Sequence, residues 1–194
     1  MIYPIDPVLA PVRRGDLVPN FLIQDTNDDF FPFSTFFGRM IVIEWVDPLC
    51  TECLEIISSG LSADMIAQAK VLYPDIVFML VQTPKKSVSA AALEGDLLQM
   101  DEVDTVFTLM EGGLHDATIV MDFSGEMKAM FDAKIVPHLF IIDRKGILIY
   151  SGNFDDKGTY TAPKRNLVLN TLLQLRRGKA AHPAVTKTVG CQME

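Results

Sequence analysis

The sequence predicts an α/β protein with a central β-sheet of mixed direction, flanked by helices. Three observations predict it. Strand-sized apolar runs recur at Met40–Val46, Ile76–Gln82, Ala117–Asp122 and Leu139–Ile142. Stretches with helical periodicity lie between most of them, which is the pattern of strands crossing over through helices. The run Leu139–Ile142 is followed by Asp143-Arg144-Lys145-Gly146 and then Ile147–Tyr150, a turn between two apolar runs that closes an antiparallel hairpin.

Each element has a local reason. Phe21–Gln24 and Phe30–Phe33 flank the polar turn Thr26-Asn27-Asp28-Asp29 and read as an N-terminal β-hairpin. Met40–Val46 is the first buried strand, and helix signals then cover about Glu52–Val71, ended by Pro74. Ile76–Gln82 is a second buried strand. Ser87–Met100 reads as a helix opened by a capping serine, followed by a polar stretch to Asp116. Ala117–Asp122 is strand-like and Gly125–Ala133 helical. A last amphipathic helix runs from about Lys164 to Arg177, with Pro163 at its start and Gly178 past its end.

The chain has 194 residues, 49% of them hydrophobic, enough for one domain spanning 1–194. Residues 1–16 read as an N-terminal extension and 179–194 as a C-terminal tail. No apolar run approaches the ~20 residues of a membrane-spanning helix. The net charge is −8 and no lysine or arginine cluster interleaves with aromatics, so neither nucleic acid nor an anionic lipid surface is expected as a partner. The N-terminus, Met1-Ile2-Tyr3-Pro4, lacks a basic segment followed by an apolar one. As written the chain reads as cytoplasmic, and as periplasmic or extracytoplasmic if it is a mature form, so the compartment stays open. Three cysteines do not make a disulfide framework.

Cys50-Thr51-Glu52-Cys53 carries the chemistry. The apolar run before it and the amphipathic stretch after it place two thiols where a buried strand ends and a helix begins. The free N–H groups and dipole of a helix start favour a thiolate at the first cysteine. The second thiol, one turn on, can attack any mixed disulfide that the first one forms. Zinc is the main competing reading, but zinc wants a second pair of ligands at similar spacing. Cys191 stands alone, and His115, His138 and His182 are scattered. A structural disulfide remains a third reading of the pair. No metal and no cofactor is expected, because the cysteines themselves store the electrons.

In this order Gly15-Asp16-Leu17-Val18-Pro19-Asn20-Phe21, Ile41–Val46 with Cys50-Thr51-Glu52-Cys53, Ile135-Val136-Pro137 with Phe140-Ile141-Ile142-Asp143 and Gly146, and the closing Tyr150-Ser151-Gly152 and Gly190-Cys191 resemble the thioredoxin superfamily. The resemblance is to its branch of TlpA/ResA-type thiol-disulfide oxidoreductases and peroxiredoxin-like proteins. It implies a thioredoxin-like fold, with the surplus between Cys53 and Pro137 forming an inserted helix and strand, assigned mainly to Ser87–Asp122.

It also implies roles. Cys50 attacks a partner disulfide and Cys53 resolves the intermediate. Glu44, inside the apolar strand six residues before Cys50, matches a buried acid that takes the Cys53 proton, although an ordinary edge-of-core glutamate fits as well. Pro137 matches a cis-proline whose loop, with Val136, offers backbone groups to an extended substrate beside Thr51 and Glu52. The partners would be protein disulfides or dithiols and an upstream thiol reductant or oxidant.

Departures from the pattern keep alternatives open. Glu52 stands where its charge disfavours the Cys50 thiolate. A peroxiredoxin-like peroxidase with antioxidant activity would want Thr or Ser three residues before its cysteine and an arginine near the later strand. Here Asp47 precedes Cys50, Cys50 precedes Cys53, and Val136-Pro137-His138-Leu139 holds no arginine. A copper- or zinc-binding module would use Cys50, Cys53 and His138. Cys191 reads either as a resolving thiol or as a tail residue packed in a groove.

Overall fold

The computed structural model describes residues 10–25, 29–83, 113–156 and 165–193. The strands are β1 Leu22–Gln24, β2 Phe30–Pro32, β3 Ile41–Trp45, β4 Val77–Gln82, β5 Thr118–Met121, β6 Ile135–Val136, β7 His138–Ile142, β8 Leu148–Gly152 and β9 Cys191–Gln192. The helices are α1 Thr51–Ser58, α2 Leu61–Leu72, α3 Glu126–Phe131 and α4 Leu167–Arg176, with a 3₁₀ turn at Phe33–Phe36. The expected helix Ser87–Met100, the turn residues Thr26-Asn27-Asp28 and Pro163 lie outside the described residues.

Five strands form the central sheet in the order β5-β4-β3-β7-β8. β3 runs parallel to β4 and β4 to β5, whereas β7 is antiparallel to both β3 and β8. The sheet is therefore mixed, as the sequence predicts, and the strand expected from the insert takes its edge beside β4. β3 and β4 are buried along their whole length, because both have a strand on each side. That explains why their sequences are continuous apolar runs rather than alternating ones. The hairpin β1–β2 forms a small antiparallel sheet of its own.

Trp45 and Phe140, on one face of the sheet, pack against Phe131 of α3 at centroid distances of 5.4 and 5.1 Å. Asp122 ties that helix to the sheet. Its carboxylate accepts from the Met127 and Lys128 amides at 3.1 and 2.8 Å and from Thr83 Oγ1 at 3.0 Å, and Thr83 Oγ1 accepts from Trp45 Nε1 at 3.2 Å.

Two boundaries differ from the sequence expectation. The helix predicted over about Glu52–Val71 is two helices, because Gly60 takes a left-handed conformation (φ 78°) and ends the first. The last helix starts at Leu167 rather than Lys164: Asn166 is its N-cap, and its side chain accepts from the Leu169 amide at 2.9 Å.

The C-terminal tail is folded back. The Gln174 side chain grips the main chain of His182 through both amide atoms, each at 2.7 Å. Ser151 of β8 donates to Ala184 and accepts from Thr186 through backbone groups, both at 3.1 Å. Thr186 also meets the Tyr150 hydroxyl at 3.0 Å and accepts from the Asn153 amide at 2.9 Å. A Cβ on Gly152 would overlap the Thr186 hydroxyl, so the tail lies this close only because residue 152 is glycine. β9 then pairs antiparallel with β6.

Candidate functional site

β3 runs out at Trp45, and the turn that follows sets Cys50 at the start of α1. The Asp47 side chain accepts from the Leu49 amide at 2.8 Å and the Asp47 carbonyl from the Cys50 amide at 3.0 Å. Cys50 is the N-cap of α1, with an extended backbone, and its carbonyl accepts from the Leu54 amide at 3.0 Å. It therefore sits where the free amides of the first helical turn converge. Thr51 is exposed, Glu52 half-buried, and Cys53 faces the core with Ile56 and Ile57.

The Val136–Pro137 peptide bond is cis and lies beside Cys50, whose Sγ is 3.5 Å from the Val136 carbonyl oxygen. Although Cys53 and Pro137 are far apart in sequence, the fold brings the cysteine pair and this loop together. Cys191 arrives at the same point from the tail. In the β6–β9 pairing Val136 faces Cys191 and Ile135 faces Gln192, and the Met193 amide donates to the Lys134 carbonyl at 2.9 Å.

Cys50 and Cys191 form a disulfide, with a Cα–Cα distance of 5.8 Å, and Cys53 is a free, buried thiol. The bond joins Cys50 to the tail and leaves Cys53 as a thiol. Cys50 is 1% exposed, because the tail strand lies over it. Cys191, read from the sequence as a resolving thiol or a packed tail residue, lies bonded to the first cysteine. No spacing in the sequence could show this, since the pairing depends on the tail turning back along β8.

Glu52 faces both bonded sulfurs, its Oε2 3.3 Å from Cys50 Sγ and 3.2 Å from Cys191 Sγ. A disulfide has no proton to offer a carboxylate, whereas either reduced thiol could donate to it. These three residues are also the group of potential metal donors that the fold gathers among the described residues, rather than Cys50, Cys53 and His138. Here the two sulfurs are bonded to each other.

Glu44, on β3, is 2% exposed and pairs in register with Leu80 and Leu139. Its Oε2 has no hydrogen-bond partner among the described residues. Burial pushes its carboxyl from the usual 4.5 up to about 7. Burial also drives the Cys53 thiol well above the usual thiol range. A backbone hydrogen bond from Asp47 pulls it part way back, and the charges of Glu44, Asp47 and Glu52 raise it further. The charge of Glu44 thus reaches Cys53: a buried thiol that resists ionisation lies in the field of a buried acid whose pKa is held near neutrality by burial.

His138 lies elsewhere. Side chains alternate along a strand and register partners share a face, so His138 joins Trp45 and Phe140 on the face opposite Glu44. Its ring stacks on Phe140 at 4.1 Å and Nε2 meets Ser151 Oγ at 3.0 Å. Burial lowers its pKa to about 4 against the opposing pull of Asp132, so it is neutral at pH 7. The fold does not bring it to the cysteines, because strand alternation turns it away.

No family model matches this sequence, and no curated protein matches it. Solved structures do. An uncharacterized conserved protein from Geobacillus kaustophilus is similar over 94% of this chain and 92% of its own, at 17% identity and a TM-score of 0.72. A protein assigned as the thiol:disulfide interchange protein DsbE of Chlorobium tepidum matches 72% of this chain and 84% of its own, at 18% identity and a TM-score of 0.53. The pneumococcal exposed lipoprotein thioredoxin of Streptococcus pneumoniae matches 82% of this chain and 99% of its own, at 17% identity and a TM-score of 0.51. With its mixed five-stranded sheet, flanking helices and a cysteine at the start of the helix after β3, this chain has the thioredoxin-like fold.

Proposed function

We propose that the protein is a thiol-disulfide oxidoreductase that exchanges disulfides with protein partners, with Cys50 as the exchanging sulfur. The observation that carries this reading is three thiols sharing one bond around a helix start, with Cys50 holding that bond and Cys53 one turn away. The thiol-disulfide oxidoreductases among proteins of similar fold support the same class of chemistry.

Glu44, as carboxylate, takes the Cys53 proton. The Cys53 thiolate then attacks Cys50 Sγ, a Cys50–Cys53 bond forms, and Cys191 leaves as a thiolate that is protonated by solvent. The exchange moves one disulfide and consumes no oxidant. In the reducing direction an external dithiol first reduces the Cys50 disulfide and is itself oxidised; the Cys50 thiolate then attacks a partner disulfide and expels one partner thiolate, and Cys53 attacks Cys50 Sγ, expelling the second and leaving a Cys50–Cys53 disulfide. The helix start stabilises the Cys50 thiolate, and the Val136-Pro137 loop supplies the backbone against which a partner strand pairs.

The test is dithiothreitol-driven reduction of a protein disulfide by the wild type and by serine variants. Cys50→Ser should abolish it, and Cys53→Ser combined with Cys191→Ser, mixed with the substrate after the dithiothreitol is removed, should stall at a mixed disulfide visible by gel electrophoresis. Turnover by Cys50→Ser at the wild-type rate would refute the assignment.

The Cys50–Cys191 bond also favours a second reading, since a peroxidase cycle that oxidises Cys50 and resolves it with Cys191 would end on this disulfide. Thiol-dependent consumption of hydrogen peroxide, lost in Cys191→Ser, would select it.

A further inference from the structure

The tail segment Gly190–Met193 does more than cover Cys50. Its residues Cys191 and Gln192 form an extended strand paired with β6 beside Pro137, with the cysteine bonded to the exchanging sulfur. Those are the features of a bound peptide caught as a mixed disulfide. The fit is specific at one position. Gly190 has φ 150°, and a Cβ there would fall inside the Val136 carbonyl and within 3.1 Å of Pro137 Cδ. Only glycine lets the strand approach closely enough for the next residue to reach Cys50.

We propose that Gly190–Met193 is a tethered stand-in for the substrate, and that the site accepts from a partner protein an extended strand in which glycine precedes the reactive cysteine. This rests on the redox reading given above and names its substrate. A partner cannot enter while the tail is bonded. Cys53 must first attack Cys50 and expel Cys191, leaving a Cys50–Cys53 disulfide.

The partner's thiolate then attacks Cys50 in the place that Cys191 occupied. The new bond joins partner and Cys50, and Cys53 leaves as a thiolate that is reprotonated by Glu44. The tail stays nearby throughout, because Gln174 holds it at His182 and β8 holds it at Ala184 and Thr186. It therefore competes with a partner at high effective concentration.

The test uses the full chain carrying Cys53→Ser and Cys191→Ser, which leaves Cys50 as its thiol. Two peptides are compared, Lys-Thr-Val-Gly-Cys-Gln-Met, which copies the tail, and the same peptide with Gly→Ala, each activated as the thionitrobenzoate disulfide. Released thionitrobenzoate reports the rate at which each is captured by Cys50, and glutathione in place of the protein corrects for intrinsic reactivity. Both rates are read on one variant, so competition from its serine tail affects them equally.

Capture of the glycine peptide about tenfold or more faster than the alanine peptide supports the proposal, a difference equivalent to ~1.4 kcal/mol. Equal rates with both peptides, alongside normal reaction of Cys50 with Ellman's reagent, overturn the proposal and leave the redox reading standing. A Cys50 inert to the peptides and to Ellman's reagent alike overturns both.

Discussion

Ionising Glu44 means leaving a charge in the core with one oxygen unpartnered, and the sign of the resulting pH effect follows directly. Its folded pKa of about 7 lies above the ordinary 4.5, so the native state holds a proton that the unfolded state has lost between those values. Stability is fully present below pH ~4.5 and declines as the pH rises through about 7, by roughly 3 kcal/mol in all at 1.36 kcal/mol per pH unit. Glu44→Gln should therefore match the wild type at pH 4 and exceed its stability at pH 8, as denaturant unfolding at the two values will show. The same substitution should slow transfer of the bond from Cys191 to Cys53 at least tenfold and remove the rise in that rate near pH 7, read by quenched alkylation. Glu44 was legible as a candidate because it sits in the run Ile41-Val42-Ile43-Glu44-Trp45 at the spacing of the buried acid that the resemblance implies, although the sequence alone fitted an edge-of-core glutamate equally well. His138 was legible as a residue near the proline but not in its orientation, which depends on the alternation of a strand whose start the sequence does not mark.

Among the elements, the strands were the most legible and the tail the least. β3, β4 and the β7–β8 hairpin announce themselves through apolar runs and the turn Asp143-Arg144-Lys145-Gly146, where the Asp143 side chain accepts from the Lys145 and Ile147 amides at 2.8 and 2.9 Å. The break between α1 and α2 was missed, because a lone glycine in a helical pattern is usually tolerated. At Gly60 a Cβ would meet nothing within 4 Å, so Gly60→Ala tests conformation alone and should cost about 1 kcal/mol through its left-handed backbone. β9 has too few apolar residues to read as a strand, since its pairing comes from β6 and from the bond at Cys50. Gly190→Ala should accordingly leave Cys191 largely free after mild oxidation. Mass-spectrometric counting of alkylated Cys191 checks this, and full retention of the bond would show that the close approach to Val136 is dispensable.

Across the whole molecule, the fold serves to converge three distant segments on one sulfur. The helix start brings Cys50, the loop after β6 brings the Val136 carbonyl, and the tail returns over β8 to bring Cys191. The resulting disulfide spans a sequence separation of 141 residues. A crosslink that long restricts the unfolded chain, so Cys191→Ser should lower the stability of the oxidised protein by about 2–4 kcal/mol and leave that of the reduced protein nearly unchanged. Sequence showed the first of these segments and the second by resemblance. It could not show the third, because nothing local in Lys179–Met193 states where the tail goes. The central claim, that Cys50 is the sulfur through which every bond passes, is tested most directly by oxidising the reduced wild type with one equivalent of oxidant, quenching with acid at intervals, and mapping the disulfides by mass spectrometry. The account predicts Cys50–Cys191 and Cys50–Cys53 in exchange, with Cys50 in every disulfide; a Cys53–Cys191 bond with Cys50 left free would contradict it.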